Sequence, residues 1–361
     1  MPKRVTLQDI ADSLNLSRNT VSKAINNSPV VAEATKKLIF ERAAEMGYKQ
    51  FSYFGAPDSE PAVNPNGPRE IALLTEYIFG NSHFGTFMID RIQSELSRLG
   101  YSFTIYRVMP DDIKANRLPA SFDTERIAGI ICIELFNYDY CQMVCSLNIP
   151  TISVDAPVAL GKPPLKTDKI LMENYNGIFN IICELKNRGI KRIGFVGDAL
   201  HCRSFYERYM AYYDAIGIFN LDFDRNIIFT TYDDAVFPED EKPSFSYLEK
   251  DSYHYYLEKW LDNIKQMPEC IICANDFVAL DLISSLNKRN IRIPDDLLLA
   301  GFDDSQESRL MHPKLTTVHI HSQSMGVTAV EMLLSRMKEP ELAYRTVYVE
   351  SEVIFRASTG D

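Results

Sequence analysis

No run of about eighteen apolar residues occurs anywhere in this 361-residue chain, so no bilayer-crossing helix is expected. The opening MPKRVTLQDI has no apolar core of the kind an export signal needs, which points to a protein that stays in the cytoplasm. The seven cysteines, an odd number, are scattered without a disulfide framework. Cys270 and Cys273 do form a C-x-x-C, but inside the apolar, strand-like run CIICAND. At that spacing two strand residues face opposite sides, and no second pair completes a zinc site, so both read as buried thiols. His319 and His321 would share a strand face, a spacing that metals use, yet no third ligand is evident nearby. No metal and no cofactor is expected. Catalytic signatures are also missing: there is no G-x-S-x-G elbow, no P-loop and no G-x-G-x-x-G after a strand. The reading is therefore not an enzyme.

What is present is a folded chain with 46% hydrophobic residues, long enough for two or three domains. Its charge is uneven. Residues 1–50 hold eight Lys/Arg against five Asp/Glu, a balance of +3, while the whole chain carries −11 and the remainder −14. A basic head on an acidic body focuses phosphate attraction at one end and repels it elsewhere.

The head reads as three helices. Thr6 and Asp9 form a capping-box pattern before a first helix that buries Ile10, Ala11 and Leu14. Asn15, which tolerates positive φ, makes the turn. Ser17 caps a second helix, Arg18 to about Ile25, whose buried stripe is Val21, Ala24 and Ile25. A third, roughly Ala32 to Met46, buries Leu38, Ile39 and Ala43 and ends at Gly47. The second helix leaves Arg18, Asn19, Ser22 and Lys23 outward. Arg and Lys donate to guanine and Asn pairs bidentately with adenine. Ser17, Thr20 and Asn26 are short donors suited to phosphate. This is the chemistry by which a helix-turn-helix reads duplex DNA. A solvated polar face is the plainer alternative, set aside because the whole capped unit is present.

Residues 51–68, with four prolines and two glycines, read as a linker. From Arg69 onward strands and helices alternate: REIALLTEY, a helix ending at Gly100, YSFTIYRV, AGIICIEL, a helix near Tyr138–Leu147, PTISVDAP, a helix around Asn174–Arg188, KRIGFVGDA, SFYERYMAYYDAIG, RNIIFTT, CIICAND, FVALDLISSLNKRN and DLLLAGFDD. Such alternation implies parallel sheets covered by helices, with enough chain for two lobes and a ligand cleft at the strand C-termini.

The head VTLQDIADSLNLSRNTVSKAINNS resembles the signature of LacI/GalR-type bacterial transcription regulators. The body carries that family's landmarks in order: IAGIICIE, IPTISVDAP, NRGIKRIGFVGD, YERYMAYYDAI, CANDFVAL, IRIPDDLLLAGFDD and HPKLTTVHI. The resemblance implies an all-α helix-turn-helix head followed by a two-lobed α/β body like a periplasmic binding protein. It also implies a homodimer on a near-palindromic operator and a small-molecule effector, by family habit a sugar or sugar derivative. The corresponding domains are 1–50, a hinge at 51–68, and 69–361. Within the last, lobe one covers about 69–160 plus 319–338, and lobe two about 161–318 plus 345–358. Base-reading positions then fall on Arg18, Asn19 and Lys23, and phosphate-contacting positions on Thr6, Ser17, Thr20, Ser22 and Asn26. Cleft positions fall on Asn81, Phe84, Asp155, Arg208, Asn275 and Asp303. Carboxylates, amides and guanidinium forks suit sugar hydroxyls, and an aromatic such as Phe84 or Tyr77 suits the C–H face of the ring. Each cleft residue also has a plainer reading: Asn275, Asp303 and Asp304 as helix caps, Arg208 as a surface charge.

The chain departs from the family pattern in three places. Pro57 sits near the position of the usual hinge leucine, leaving Tyr53 or Phe54 as a substitute wedge or no hinge helix at all. Ala32 replaces a hydroxyl cap. Ile320 and His321 stand where more polar or aromatic cleft residues are usual, which points to an atypical ligand. A solute-binding protein would share the body but lack the DNA head. A sensor of a non-sugar metabolite, such as a purine or a phosphorylated compound, remains an alternative effector reading.

Overall fold

The computed structural model describes residues 6–25, 31–46, 69–76, 83–230 and 250–360. The chain divides into two compact units, Met1–Pro65 and Asn66–Asp361. The hinge residues 51–68, with Tyr53, Phe54 and Pro57, lie outside the described residues, as do Gly47, Asn26, Tyr77 and Asn81.

The first unit contains α1 (Leu7–Ser13), α2 (Arg18–Ile25) and α3 (Glu33–Glu45). The expected capping box is formed. Asp9 N donates to Thr6 Oγ1 at 3.3 Å, and Asp9 Oδ2 accepts from Thr6 N at 2.8 Å. Asn15 makes the turn at φ 52°. Ser17 Oγ accepts from Thr20 N at 3.0 Å, capping α2. The core joins Ile10 and Ala11 to Val21, Ala24, Val31, Ile39 and Ala43. One expectation fails: Leu38 is 50% exposed, and Lys36 is buried instead. The inward stripe of α3 is Lys36, Ile39 and Ala43, and Leu38 lies one residue, about 100° of helix, off that stripe. A lysine can line a core with its aliphatic stem.

The second unit holds two parallel sheets. The first comes from β1 (Glu70–Thr75), α4 (His83–Arg98), β2 (Ser102–Arg107), α5 (Pro110–Lys114), β3 (Ile127–Ile133), α6 (Tyr138–Cys145), β4 (Thr151–Val154) and β5 (Asp168–Met172). The second follows as α7 (Tyr175–Asn187), β6 (Ile193–Val196), α8 (Arg203–Ile218), β7 (Ile228–Phe229), α9 (Lys250–Asn263), β8 (Cys270–Cys273), α10 (Asp276–Asn287), β9 (Leu298–Ala300) and α11 (Gln306–Leu310). Then β10 (Thr317–Ile320), α12 (Ser322–Lys338), β11 (Thr346–Val349) and β12 (Ser351–Ile354) complete the described elements. The six-stranded sheet runs β11-β5-β4-β3-β1-β2 and the four-stranded sheet β7-β6-β8-β9. β10 and β12 pair antiparallel beside the second sheet, joined to it by bridges such as Asp303–His319.

The lobe boundaries shift accordingly. Asp168–Met172 and Thr346–Val349, expected in the second lobe, hydrogen-bond into the first sheet, β5 on β4 and β11 on β5. His319 and Ile320, expected in the first lobe, pair with Glu352 and Ser351 in the second. The chain therefore crosses between lobes at Glu173–Asn174, at His321 and at Glu350.

Each sheet reverses strand order beside its first strand, between β1 and β3 and between β6 and β8. Ligands of open α/β sheets bind outside the strand ends at such switch points. At the second one Gly197, at φ 152°, lies so close to Ala274 that an added Cβ would come within 2.2 Å of the alanine Cβ. Only glycine lets β6 and β8 end side by side there.

Candidate DNA-reading face and effector cleft

On the head, Arg18, Asn19 and Lys23 are exposed on α2, opposite its buried Val21 and Ala24. Of the expected phosphate contacts, Thr6 and Ser17 are exposed at helix N-termini and Thr20 is half-buried. Ser17 and Thr20 share a hydroxyl–hydroxyl bond of 2.8 Å, so the two groups are presented together. Ser22 lies within α2, but its side chain, like that of Phe84 in α4, is outside the described residues.

In the body, the cleft is marked by backbone strain. Glu134 follows β3 at φ 51°, Asp155 follows β4 at φ 60°, and Asp303 lies beyond β9 at φ 113°. A non-glycine residue in this region costs about 1–3 kcal/mol, and such residues cluster at ligand sites. The first two of these carboxylates act on the third: Asp303 is pushed up to about 8, first by burial and then by Asp276, Glu134 and Asp155, against the opposing pull of Arg208.

Arg208, on α8, is the cation of this cluster and is only 2% exposed. Its Nε donates to Asn174 Oδ1 at 2.9 Å and its Nη1 to Ala274 O at 2.7 Å. Nη1 also lies 3.5 Å from Asp303 Oδ1. The guanidinium stacks 3.6 Å from the Phe302 ring centroid. The surface-charge reading of Arg208 is thus excluded. Asp155 accepts from Ala156 N at 2.7 Å and Ser204 N at 3.2 Å, fastening the start of α8 to the end of β4. Burial raises its carboxyl above the usual range.

Asn275 follows the plainer reading. Its Oδ1 accepts from Val278 N at 2.9 Å and caps α10, although the residue stands at the end of β8 beside the cleft. Asp303 and Asp304 do not cap α11; Ser305 does. Asp304 is instead a buried structural anion. It binds Arg309 and Arg356 and lies 2.9 Å from His319 Nδ1, and the two arginines hold its carboxyl below the usual range. His319 and His321 rings meet edge to face at 4.9 Å, and no metal-binding group of three ligands exists among the described residues. Ile320 is buried, at 3% exposure. Cys270 and Cys273 are both fully buried, and burial pushes both thiols up.

Several cleft residues escaped sequence reasoning. Phe136, after β3, meets His201, after β6, at 5.0 Å, and His201 meets Phe205 of α8 at 5.1 Å. Burial lowers the His201 imidazole to about 4, so it is neutral at physiological pH. These rings make an aromatic wall that spans both lobes. Phe302 was not singled out either, although it lies between the glycine and the aspartates of GFDD; no local signal marks Phe136 or His201.

The chain matches two family models: residues 6–50 the bacterial regulatory proteins of the lacI family, and residues 182–359 the periplasmic binding protein-like domain. It is 28% identical over 356 residues to an HTH-type transcriptional repressor PurR from Aliivibrio salmonicida, covering 98% of each chain. A PurR repressor from Aliivibrio fischeri is 26% identical over 364 residues, again covering 98% of each. Among solved structures, a complex of the transcriptional regulator CelR with cellobiose superposes with TM-score 0.65 at 19% identity, covering 98% of this chain and all of the other, 100%. The lac repressor dimer bound to operator and the anti-inducer ONPF gives 0.64 at 19% identity, covering 99% of each chain.

Proposed function

The chain belongs to the lacI family of bacterial regulatory proteins, a family of DNA-binding repressors rather than enzymes, and on that footing we propose that it is a cytoplasmic homodimeric repressor of an inverted-repeat operator, controlled by an uncharged, polyhydroxylated effector of the sugar class. Arg18, Asn19 and Lys23 read base edges. Thr6, Ser17, Thr20, Ser22 and Asn26 grip phosphates and set the register of the head.

The observation that carries the effector reading is the Arg208–Asp303 pair. A guanidinium beside a carboxyl offers donors and an acceptor to the same hydroxyl, which is how a vicinal diol is held. Phe302 supports the guanidinium from beneath, and the wall of Phe136, His201 and Phe205 supplies faces for a ring's C–H side. Glu134 and Asp155 add negative charge around Asp303, which does not favour a phosphorylated ligand. Asn81, Phe84 and Asn275 complete the site on this reading, Asn275 through its Nδ2, since its Oδ1 caps α10. A ligand that favours one arrangement of the lobes shifts operator affinity by the same factor as its own affinity differs.

Calorimetry of the full chain with mono- and disaccharides, purine bases and sugar phosphates tests this. The expected result is saturable binding of at least one neutral sugar, abolished by Arg208→Ala with the fold intact. Binding of a purine or sugar phosphate alone, or normal sugar binding by the Arg208 variant, overturns the reading.

A further inference from the structure

We propose that Asn174 is a positioning residue: it holds the Arg208 guanidinium ready for the effector and, through Glu207 and Tyr348, ties that guanidinium to the edge strand of the other lobe's sheet. This inference rests on the reading of Arg208 as an effector contact.

Asn174 stands where the chain leaves β5 of the first sheet and enters α7 of the second lobe, and it is 1% exposed. It occupies the N-cap position of α7 yet makes no capping bond. Glu173 takes over that task, its carboxylate accepting from Tyr175 N and Asn176 N at 3.0 Å each. The asparagine carboxamide is thereby released for other partners. Its Oδ1 accepts from Arg208 Nε at 2.9 Å. Its Nδ2 donates to Met172 O at 2.9 Å and Glu207 Oε2 at 2.9 Å, with Ser204 Oγ at 3.3 Å. The orientation of the amide is dictated by its neighbours, since arginine can only donate and the backbone carbonyl and carboxylate can only accept. A side chain here must carry an acceptor and two donors in one plane, which asparagine does and aspartate or leucine does not.

The network continues from Glu207. Its Oε1 accepts from Arg203 Nε at 2.7 Å and from the Tyr348 hydroxyl at 2.8 Å. Tyr348 belongs to β11, the edge strand of the first sheet, just before the chain crosses back to the second lobe. At the same place Glu173 N donates to Val349 O at 2.8 Å, binding two of the crossings together. The other hydrogen-bond, ion-pair and ring contacts of Arg208, with Ala274 O, Asp303, Phe302 and Phe205, are in the second lobe, and only its longer-range attraction to Asp155 also reaches the first. Asn174 is thus the step by which a pull on the guanidinium reaches the crossings.

The test uses the full-length protein without ligand and follows two signals by nitrogen-15 NMR. One is the Arg208 Nε–Hε resonance, identified by its loss in Arg208→Lys; the other is the Glu173 backbone amide. In Asn174→Ala the Arg208 Hε should exchange at least about tenfold faster, the loss of one buried hydrogen bond. Asn174→Asp should keep Hε protected, because a carboxylate still accepts from it. The same variant should speed exchange at Glu173 about tenfold, because a carboxylate now faces Glu207. Tyr348→Phe, a change at a half-exposed side chain, should speed Glu173 exchange several-fold and leave Arg208 Hε untouched. Unchanged Hε protection in a folded Asn174→Ala overturns the positioning role. If that variant does not fold, Tyr348→Phe decides: an unchanged Glu173 amide overturns the link. A failed ligand screen beside the expected NMR result would sink the effector reading alone.

Discussion

Two adjacent aspartates show how little a residue's type decides by itself. Asp304 lies between two arginines and is held ionised, whereas Asp303, one residue earlier, sits half-buried near other carboxylates and is raised to about 8. Between the ordinary carboxyl range near pH 4 and about pH 8, the folded protein binds one more proton at Asp303 than the unfolded chain, so this group lowers stability as pH rises through that window. Asp303→Asn should therefore raise the melting temperature by about 2–4 °C at pH 8.5 and flatten its decline between pH 5 and 8, as read by calorimetric scans. Asp304 acts in the opposite sense: its contribution is present above the ordinary carboxyl range and is lost as pH falls below it. Asp304→Ala, which strands two arginines, should cost about 3–5 kcal/mol in urea unfolding at pH 7. The sequence offered the same helix-cap alternative for both residues, and for Asn275. Local spacing could not separate cap from cleft, because what separates them is largely the arrival of Arg208 and Arg356 from distant segments.

At the level of elements, local chemistry was the more legible part. The Thr6–Asp9 box, the Asn15 turn and the Ser17 cap depend on neighbours three residues away or fewer, and all are formed. Thr6→Ala should cost about 1 kcal/mol of head stability in thermal unfolding followed by circular dichroism. On α2, Lys23→Ala should weaken operator binding by about 1–3 kcal/mol and relax specificity at one base pair per half-site in gel shifts against an operator library. Thr20→Ala should weaken binding evenly across sequences. Unaltered operator affinity in the Lys23 variant would refute the base-reading assignment. On α3 the expectation failed at Leu38, whose place in the core is taken by Lys36, a residue apolar along its stem and charged only at its tip. The strands β5 and β11 were passed over because DKILM and TVYV are only five and four residues long.

For the whole molecule, the uneven charge predicts strong salt dependence. Operator affinity should fall by about three orders of magnitude between 50 and 200 mM salt if two heads together neutralise six or more phosphates. A shallow slope in filter-binding titrations would show that the acidic body, rather than the basic head, dominates the encounter. The two-lobed plan was legible from the order of strands and helices, but the boundary between lobes was not, because it depends on which strands pair, and pairing is a long-range property. That pairing has a consequence during synthesis. The first sheet receives its edge strand β11, and the helix α12 that packs on it, only after all four strands of the second sheet have been made. A ribosome adding about 5–20 residues per second takes on the order of ten seconds or more to travel from β5 to β11. Throughout that interval β5 stands as an unpaired border of a growing sheet. The nascent first lobe is therefore the part of this chain most in need of a chaperone, and a translational pause within the second lobe should lower the yield of folded repressor more than an equal pause within the head.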